Sequence, residues 1–155
     1  MQLTLYTDYS LRALVYLGVA QRAATIAEIA ERFGISRNHL SKVANNLVHL
    51  GYIDSMQGKG GGLVLSKSPD SINVGEVVRK VEPNFHLVEC FDREHDTCPI
   101  TPVCSLKHML GEAEAAFFGV LDKYTLRDLM VDGDVMLELL GDGQHHVHQP
   151  NDAAT

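Results

Sequence analysis

The stretch from Thr25 to Ser66 constrains the fold of this chain more than any other. Thr25 and Glu28 have the T-x-x-E spacing of a capping box, which opens a helix over 26–33, and Gly34 supplies the left-handed residue that stops it. After Ile35, Ser36 is placed to cap a further helix that ends at Gly51. Two helices joined by so short a turn form a helix-turn-helix. Two short strands, 52–57 and 63–66, then flank Gly58-Lys59-Gly60-Gly61-Gly62, a flexible tip bearing one cation. A helix-turn-helix followed by such a hairpin is a winged helix, so the fold class is mainly α with a winged helix-turn-helix.

The helix after Ser36 is two-sided. Leu40, Val43, Leu47 and Leu50 share one face, and Asn38, Lys42, Asn45 and His49 fall on the opposite one. A row of donors and acceptors suits base edges in a major groove, where Asn reads adenine and Lys or Arg reads guanine. Ser36, Arg37 and Ser41 belong to the same candidate DNA-binding surface, and Lys59 on the wing would reach a phosphate or the minor groove. Most surface helices have a polar face and touch no DNA; the hairpin directly after it is what raises this one. The glycines do not read as a nucleotide loop, because no Gly-Lys-Ser/Thr follows and a hairpin, not a helix, comes next.

Charge divides the chain in the same place. Residues 1–67 carry seven Lys/Arg against four Asp/Glu, a net of +3, whereas residues 68–155 carry six against sixteen, a net of -10. A mildly basic first half joined to an acidic second half fits a nucleic-acid reader with an appended module. With no apolar run long enough for a signal peptide or a membrane span, the chain is expected in the cytoplasm.

All three cysteines lie in ECFDREHDTCPITPVC, with seven and then five residues between them. Three cannot all pair as disulfides within one chain, and a reducing cytoplasm disfavours disulfides, so metal binding or a thiol switch is the expectation. Three thiols are one short of a closed site, since structural zinc and an iron-sulfur cubane both want four protein ligands. The acidic neighbours Glu89, Asp92, Glu94 and Asp96 work against thiolate formation and are expected to point to solvent or to a partner subunit.

Around these segments the sequence predicts further helices. Thr7 is placed to cap one of about fifteen residues with Leu11, Leu14, Val15 and Tyr16 on its buried stripe, Asp8 in its first turn and Arg12 one turn on. Another runs over 74–81 with Asn73 as cap and Glu76 as its reciprocal partner, ended by Pro83. Beyond Cys104, Leu106, Met109, Leu110, Ala113, Phe117, Val120, Leu121 and Tyr124 repeat at helical spacing over nearly twenty residues. No later chain can cover that face, so it is expected to be a dimerisation helix in a C2 homodimer, which would set two recognition helices on a palindromic operator. Thr125 and Asp128 start one more short helix, and from Asp132 the chain reads as a polar, disordered tail in which His145, His146 and His148 are given no role. The expected divisions are 1–67 for the winged helix, 68–131 for the cysteine loop and dimerisation helix, and 132–155 for the tail.

MQLTLYTDYSLRAL, SRNHLSK, GKGGGLVL, CPITPVCSLK and DKYTLRDL, in that order, resemble the winged-helix iron-sulfur transcriptional regulators, in particular the nitric-oxide-sensing repressors among them. The resemblance covers residues 1 to about 140. It implies a homodimeric DNA-binding repressor that holds an iron-sulfur cluster on Cys90, Cys98 and Cys104, with Asp8 of the other subunit as fourth ligand; Arg12, one turn from Asp8, is placed either to orient it or to form an ordinary surface ion pair. It further implies that nitric oxide attacks the cluster, weakens operator binding and so releases genes for nitric oxide detoxification and nitrosative stress.

In one branch of these regulators a histidine three residues after the last cysteine ligates a 2Fe-2S centre, but here Lys107 stands there. A 4Fe-4S cluster is therefore favoured, with His108 leaving open a zinc or 2Fe-2S site on Cys90, Cys98, Cys104 and His108; His95 is expected to be unbound. A metal-free thiol switch is the second reading. An enzyme is the third, and the chain shows neither a nucleophile motif nor a nucleotide fingerprint.

Overall fold

The structure, a computed structural model, describes residues 2–141. Six α-helices and one hairpin occur in the order α1 Leu5–Ala20, α2 Ile26–Phe33, α3 Arg37–His49, β1 Ile53–Met56, β2 Gly62–Leu65, α4 Val74–Val81, α5 Ser105–Leu121 and α6 Gly133–Gly141. The core joins the first four helices to the hairpin through Leu14, Ile29, Leu40, Leu47, Ile53 and Val77. Leu14, Leu40 and Leu47 are among the positions that helical periodicity puts on inward faces.

The helix-turn-helix forms where its caps predict. Thr25 accepts the Glu28 amide at 3.1 Å, and Gly34 closes α2 in the left-handed region at φ 63°. The Glu28 carboxylate does not complete the box: it takes the Tyr16 hydroxyl at 2.7 Å and the Arg22 guanidinium. Hydrogen bonding from Arg22, more than from any other group, lowers the Glu28 pKa against the opposing pull of burial. Ser36 occupies the N-cap position of α3, but among the described residues its hydroxyl accepts no helix amide. The helix ends at His49, with Leu50 as cap and Gly51 left-handed behind it at φ 71°.

The hairpin is antiparallel and shorter than expected, with Ile53 opposite Leu65 and Met56 opposite Gly62. It is tied to the turn before α2, where Ala24 and Leu63 exchange backbone hydrogen bonds of 3.1 and 2.8 Å. A Cβ on Gly62 would stand 2.7 Å from the Ala24 carbonyl oxygen, so glycine is what lets the wing approach this closely.

Two sequence expectations are corrected and a third is made more specific. Thr4, not Thr7, caps α1: its hydroxyl accepts the Thr7 amide at 3.3 Å, and the Thr7 hydroxyl is turned inward to Glu82. Thr125 and Asp128 form their capping box, but the segment they open is a short 3-10 helix, Leu126–Met130. Residues from 132 do not begin as a loose tail, because 133–141 form α6, which packs on α1 and α2. Met136, Leu137 and Leu140 are half-buried there, and Arg32 donates to the carbonyls of Leu140 and Gly141 at 3.0 and 3.1 Å, satisfying the end of the helix. The histidines of the tail lie outside the described residues.

α4 keeps its expected bounds, with Asn73 accepting the Glu76 amide at 2.9 Å. Glu76 pairs with Lys80 instead of returning to its cap. The helix is fastened to the end of α5 by Arg79, which forms a bidentate pair with Asp122 at 2.6 and 2.7 Å and stacks 4.2 Å over the Phe118 ring. Phe118 is the one buried residue of α5. Leu106, Met109 and Val120 are 58%, 63% and 50% exposed, so the apolar stripe read from the sequence is uncovered in the protomer.

Candidate nucleic-acid interface and cysteine loop

Most of the residues expected to face DNA are exposed. Ser36, Arg37, Asn38, Lys42, Asn45 and His49 are all exposed along α3, and Lys59 is exposed at the wing tip. Ser41 departs from the expectation: half-buried, it donates back to the Arg37 carbonyl at 2.8 Å, so its hydroxyl is engaged with its own helix. His39, which sequence reasoning did not single out, is exposed next to this row. Leu40, Val43 and Leu47 seat the helix in the core from behind, so the polar row stands on a rigid support.

The second candidate region is the loop between α4 and α5. Cys90 sits in a 3-10 turn over Glu89–Phe91, Cys98 precedes Pro99, and Cys104 is the N-cap of α5. All three are free thiols of intermediate exposure. The Lys107 amide points at the Cys104 sulfur from 3.5 Å, and the positive end of the seventeen-residue α5 favours negative charge there. Cys90 and His108 line one cleft of about 670 Å³ together with Phe85, His86 and Arg93.

Among the described residues, no group of three or more His, Cys, Asp or Glu is placed to hold a metal ion. The convergence of thiols expected from the sequence is therefore not present within one protomer. The donor set still suits a soft metal centre, being three free, partly buried sulfurs on one segment built only from short turns.

The acidic residues of the loop explain how it keeps its shape. Glu89 accepts from the Thr97 amide at 2.8 Å, Asp96 from the Cys98 amide and the Thr101 hydroxyl at 3.0 Å each, and Asp92 from the Glu94 amide at 3.0 Å. Three of the four carboxylates thus fold back onto the loop instead of pointing away, while Glu94 is exposed. Hydrogen bonds from Thr97 hold the Glu89 pKa down, and those from His95 and Glu94 do the same for Asp92. His95 is bound to Asp92 at 2.8 Å, an attachment that its sequence position did not suggest.

Asp8 and Arg12 meet as anticipated, at 2.8 Å on the exposed side of α1. A buried group that sequence reasoning missed lies close by. Glu82, immediately after α4, is buried and accepts from the Thr4 amide and the Thr4 hydroxyl at 3.1 Å each, and also from the Thr7 hydroxyl. The signal was present in the spacing, since Glu82 stands four residues after buried Val78 and therefore on the inward face of α4. The clamp joins the first turn of α1 to the root of the cysteine loop.

Comparison with known proteins agrees with this architecture. The chain is 51% identical over 142 residues to the HTH-type transcriptional regulator NsrR of Bacillus subtilis, covering 90% of this chain and 97% of that one. It is 47% identical to NsrR of Geobacillus kaustophilus over 142 residues, with 90% and 97% covered. Among solved structures, T. potens IscR superposes with a TM-score of 0.69 at 23% identity, covering 85% of this chain and 88% of that one. CymR, the global cysteine regulator of B. subtilis, gives 0.66 at 25%, covering 83% and 95%. These relatives are named as regulators, not as enzymes, and residues 3–132 match the Rrf2 family, described as iron-dependent transcriptional regulators. With its winged helix in place and its length matched almost end to end, the chain belongs to the Rrf2 family and is a DNA-binding transcriptional regulator, not an enzyme.

Proposed function

We propose that this regulator is a homodimeric, cytoplasmic repressor that binds a palindromic operator and responds to nitric oxide through an iron-sulfur cluster, favoured as 4Fe-4S. The observation that carries the reading is the single loop holding every cysteine of the chain as a free, half-buried thiol, rooted on α4 and leading straight into α5. When bound, such a cluster supplies iron that a small gas can ligate. Cys90, Cys98 and Cys104 hold three positions. The partner subunit's Asp8 holds the fourth, where an oxygen donor is the weakest on a thiolate-loving iron. Arg12, paired with Asp8 at 2.8 Å, orients that carboxylate.

Closing the loop around the cluster and carrying Asp8 from the partner ties the bond set to dimer geometry. Loss of one such bond would loosen the spacing of the two α3 helices and lower operator affinity. The genes repressed would be those for nitric oxide detoxification and nitrosative stress. The test is an anaerobic titration with nitric oxide that follows the visible spectrum and operator affinity together. The two are expected to change at the same stoichiometry, and affinity that stays constant while the spectrum bleaches would overturn the reading.

A second reading keeps the regulator and replaces the cluster with a structural zinc or a 2Fe-2S centre on the three cysteines and His108. It is favoured by the cleft that His108 shares with Cys90. Iron and acid-labile sulfide in a ratio near one, with no zinc, would discard the zinc form.

Lys42→Ala and Asn45→Ala are expected to weaken specific operator binding by about 1–3 kcal/mol each while the visible spectrum stays intact. Both side chains are exposed on α3. An unchanged mobility shift for both variants would remove α3 as the reading surface.

A further inference from the structure

Resting on the cluster reading above, we propose that Tyr6 is the positioning residue through which the state of the cysteine-loop site reaches the recognition helix. Its hydroxyl donates to the main-chain carbonyl of Lys42 at 3.1 Å, bridging the first turn of α1 to the middle of α3. The Asn46 side chain, one turn further along α3, also hydrogen-bonds the Tyr6 hydroxyl, so the polar links found between those two helices among the described residues pass through this one group. The rest of their contact is apolar packing, which holds α3 in the core without a directional bond, whereas a hydrogen bond weakens steeply with distance and angle and so responds to a small shift of this turn.

The same turn of α1 carries two other attachments. Thr4 and Thr7 grip Glu82 at the root of the cysteine loop, and Asp8 faces outward with Arg12. A helical turn moves as a body, so a pull on Asp8 or Glu82 displaces the Tyr6 ring with it. The ring borders an open groove of about 280 Å³, shared with Leu5, Tyr9, His39 and Lys42. Because the space beside the ring is unfilled, the ring can shift along the groove, and its hydroxyl bond fixes where this turn of α1 meets the middle of α3. Lys42 presents its side chain on the exposed face of α3, so a shift of its backbone reaches the DNA-facing row directly.

Tyr6→Phe removes the hydroxyl and keeps the ring. Operator affinity is measured for the cluster-bearing and the iron-free protein, in wild type, Tyr6→Phe and, as a control on the same groove, Tyr9→Phe. The ratio of the two affinities is expected to shrink by about fivefold in Tyr6→Phe, the factor one hydrogen bond of ordinary strength represents. Iron content and visible spectrum are expected to match wild type, the midpoint of thermal unfolding is expected to fall by no more than the few degrees one hydrogen bond represents, and Tyr9→Phe is expected to keep the wild-type ratio. A purely structural role for Tyr6 would lower both affinities by the same factor, and that outcome, or an unchanged ratio, overturns the inference. If wild type itself shows no difference between its two states, the cluster reading falls and takes this inference with it; a wild-type ratio preserved in Tyr6→Phe sinks the inference alone.

Discussion

Cys98→Ala is expected to abolish cluster binding and to lower operator affinity by about 5- to 150-fold, the range over which two coupled sites ordinarily influence one another. The reason lies in the loop. With three cysteines available, loss of one leaves two thiolates, too few to hold a four-ligand centre even with the partner's carboxylate. The fold itself is expected to survive. Cys98 lies outside the hydrophobic core, and its backbone amide keeps its hydrogen bond to Asp96 whatever the side chain. Anaerobic iron analysis, circular dichroism and an operator shift on one preparation decide the matter. Full operator affinity in a protein stripped of iron would show that the loop does not control DNA binding.

Met109→Glu is expected to split the proposed homodimer and with it most of the operator affinity. Met109 is 63% exposed in the protomer and lies on the uncovered stripe of α5 with Leu106, Ala113 and Val120. Exposed in the monomer, the new carboxylate costs little there. Buried across a two-fold axis, two such carboxylates would face an apolar surface and each other, which costs several kcal/mol. Linking two recognition helices raises avidity by about 10²- to 10⁴-fold over one helix, so a monomer forfeits a comparable factor. Sedimentation velocity reads the first effect and an operator shift the second. A variant that sediments as a dimer would place the interface somewhere other than α5.

How far the sequence could be read depended on how local the deciding contact was. α2 and α4 have the bounds that their caps predicted, because Thr25 with Glu28 and Asn73 with Glu76 lie within one turn of each other. The start of α1 was misplaced by the same logic. Thr4 and Thr7 are equally good caps in isolation, and the choice between them rests with Glu82, 75 residues further along, which takes the Thr7 hydroxyl into the interior. α6 escaped notice because glycine and aspartate at its start masked the run Val135-Met136-Leu137, whose inward side matters only once α1 and α2 are there to receive it. In the candidate site, the exposed polar row on α3 was legible from periodicity alone, apart from Ser41 turning back to its own helix. The fold-back of Glu89, Asp92 and Asp96 was not, since loop carboxylates have no repeating pattern to reveal which amide they will accept.

By itself the sequence determined the winged helix, the polar face of α3, the apolar stripe of α5 and the gathering of every thiol into one segment. Each of these is set by residue spacing or by chain neighbours. Only the tertiary structure decided that Glu82 clamps the first turn of α1, that Tyr6 reaches the backbone of α3, and that among the described residues no three thiol, imidazole or carboxylate ligands converge to hold a metal ion. The physical reason is that burial and hydrogen-bond partnership between residues far apart in the chain arise when separate elements pack, and no periodicity within an element records which neighbour it will meet.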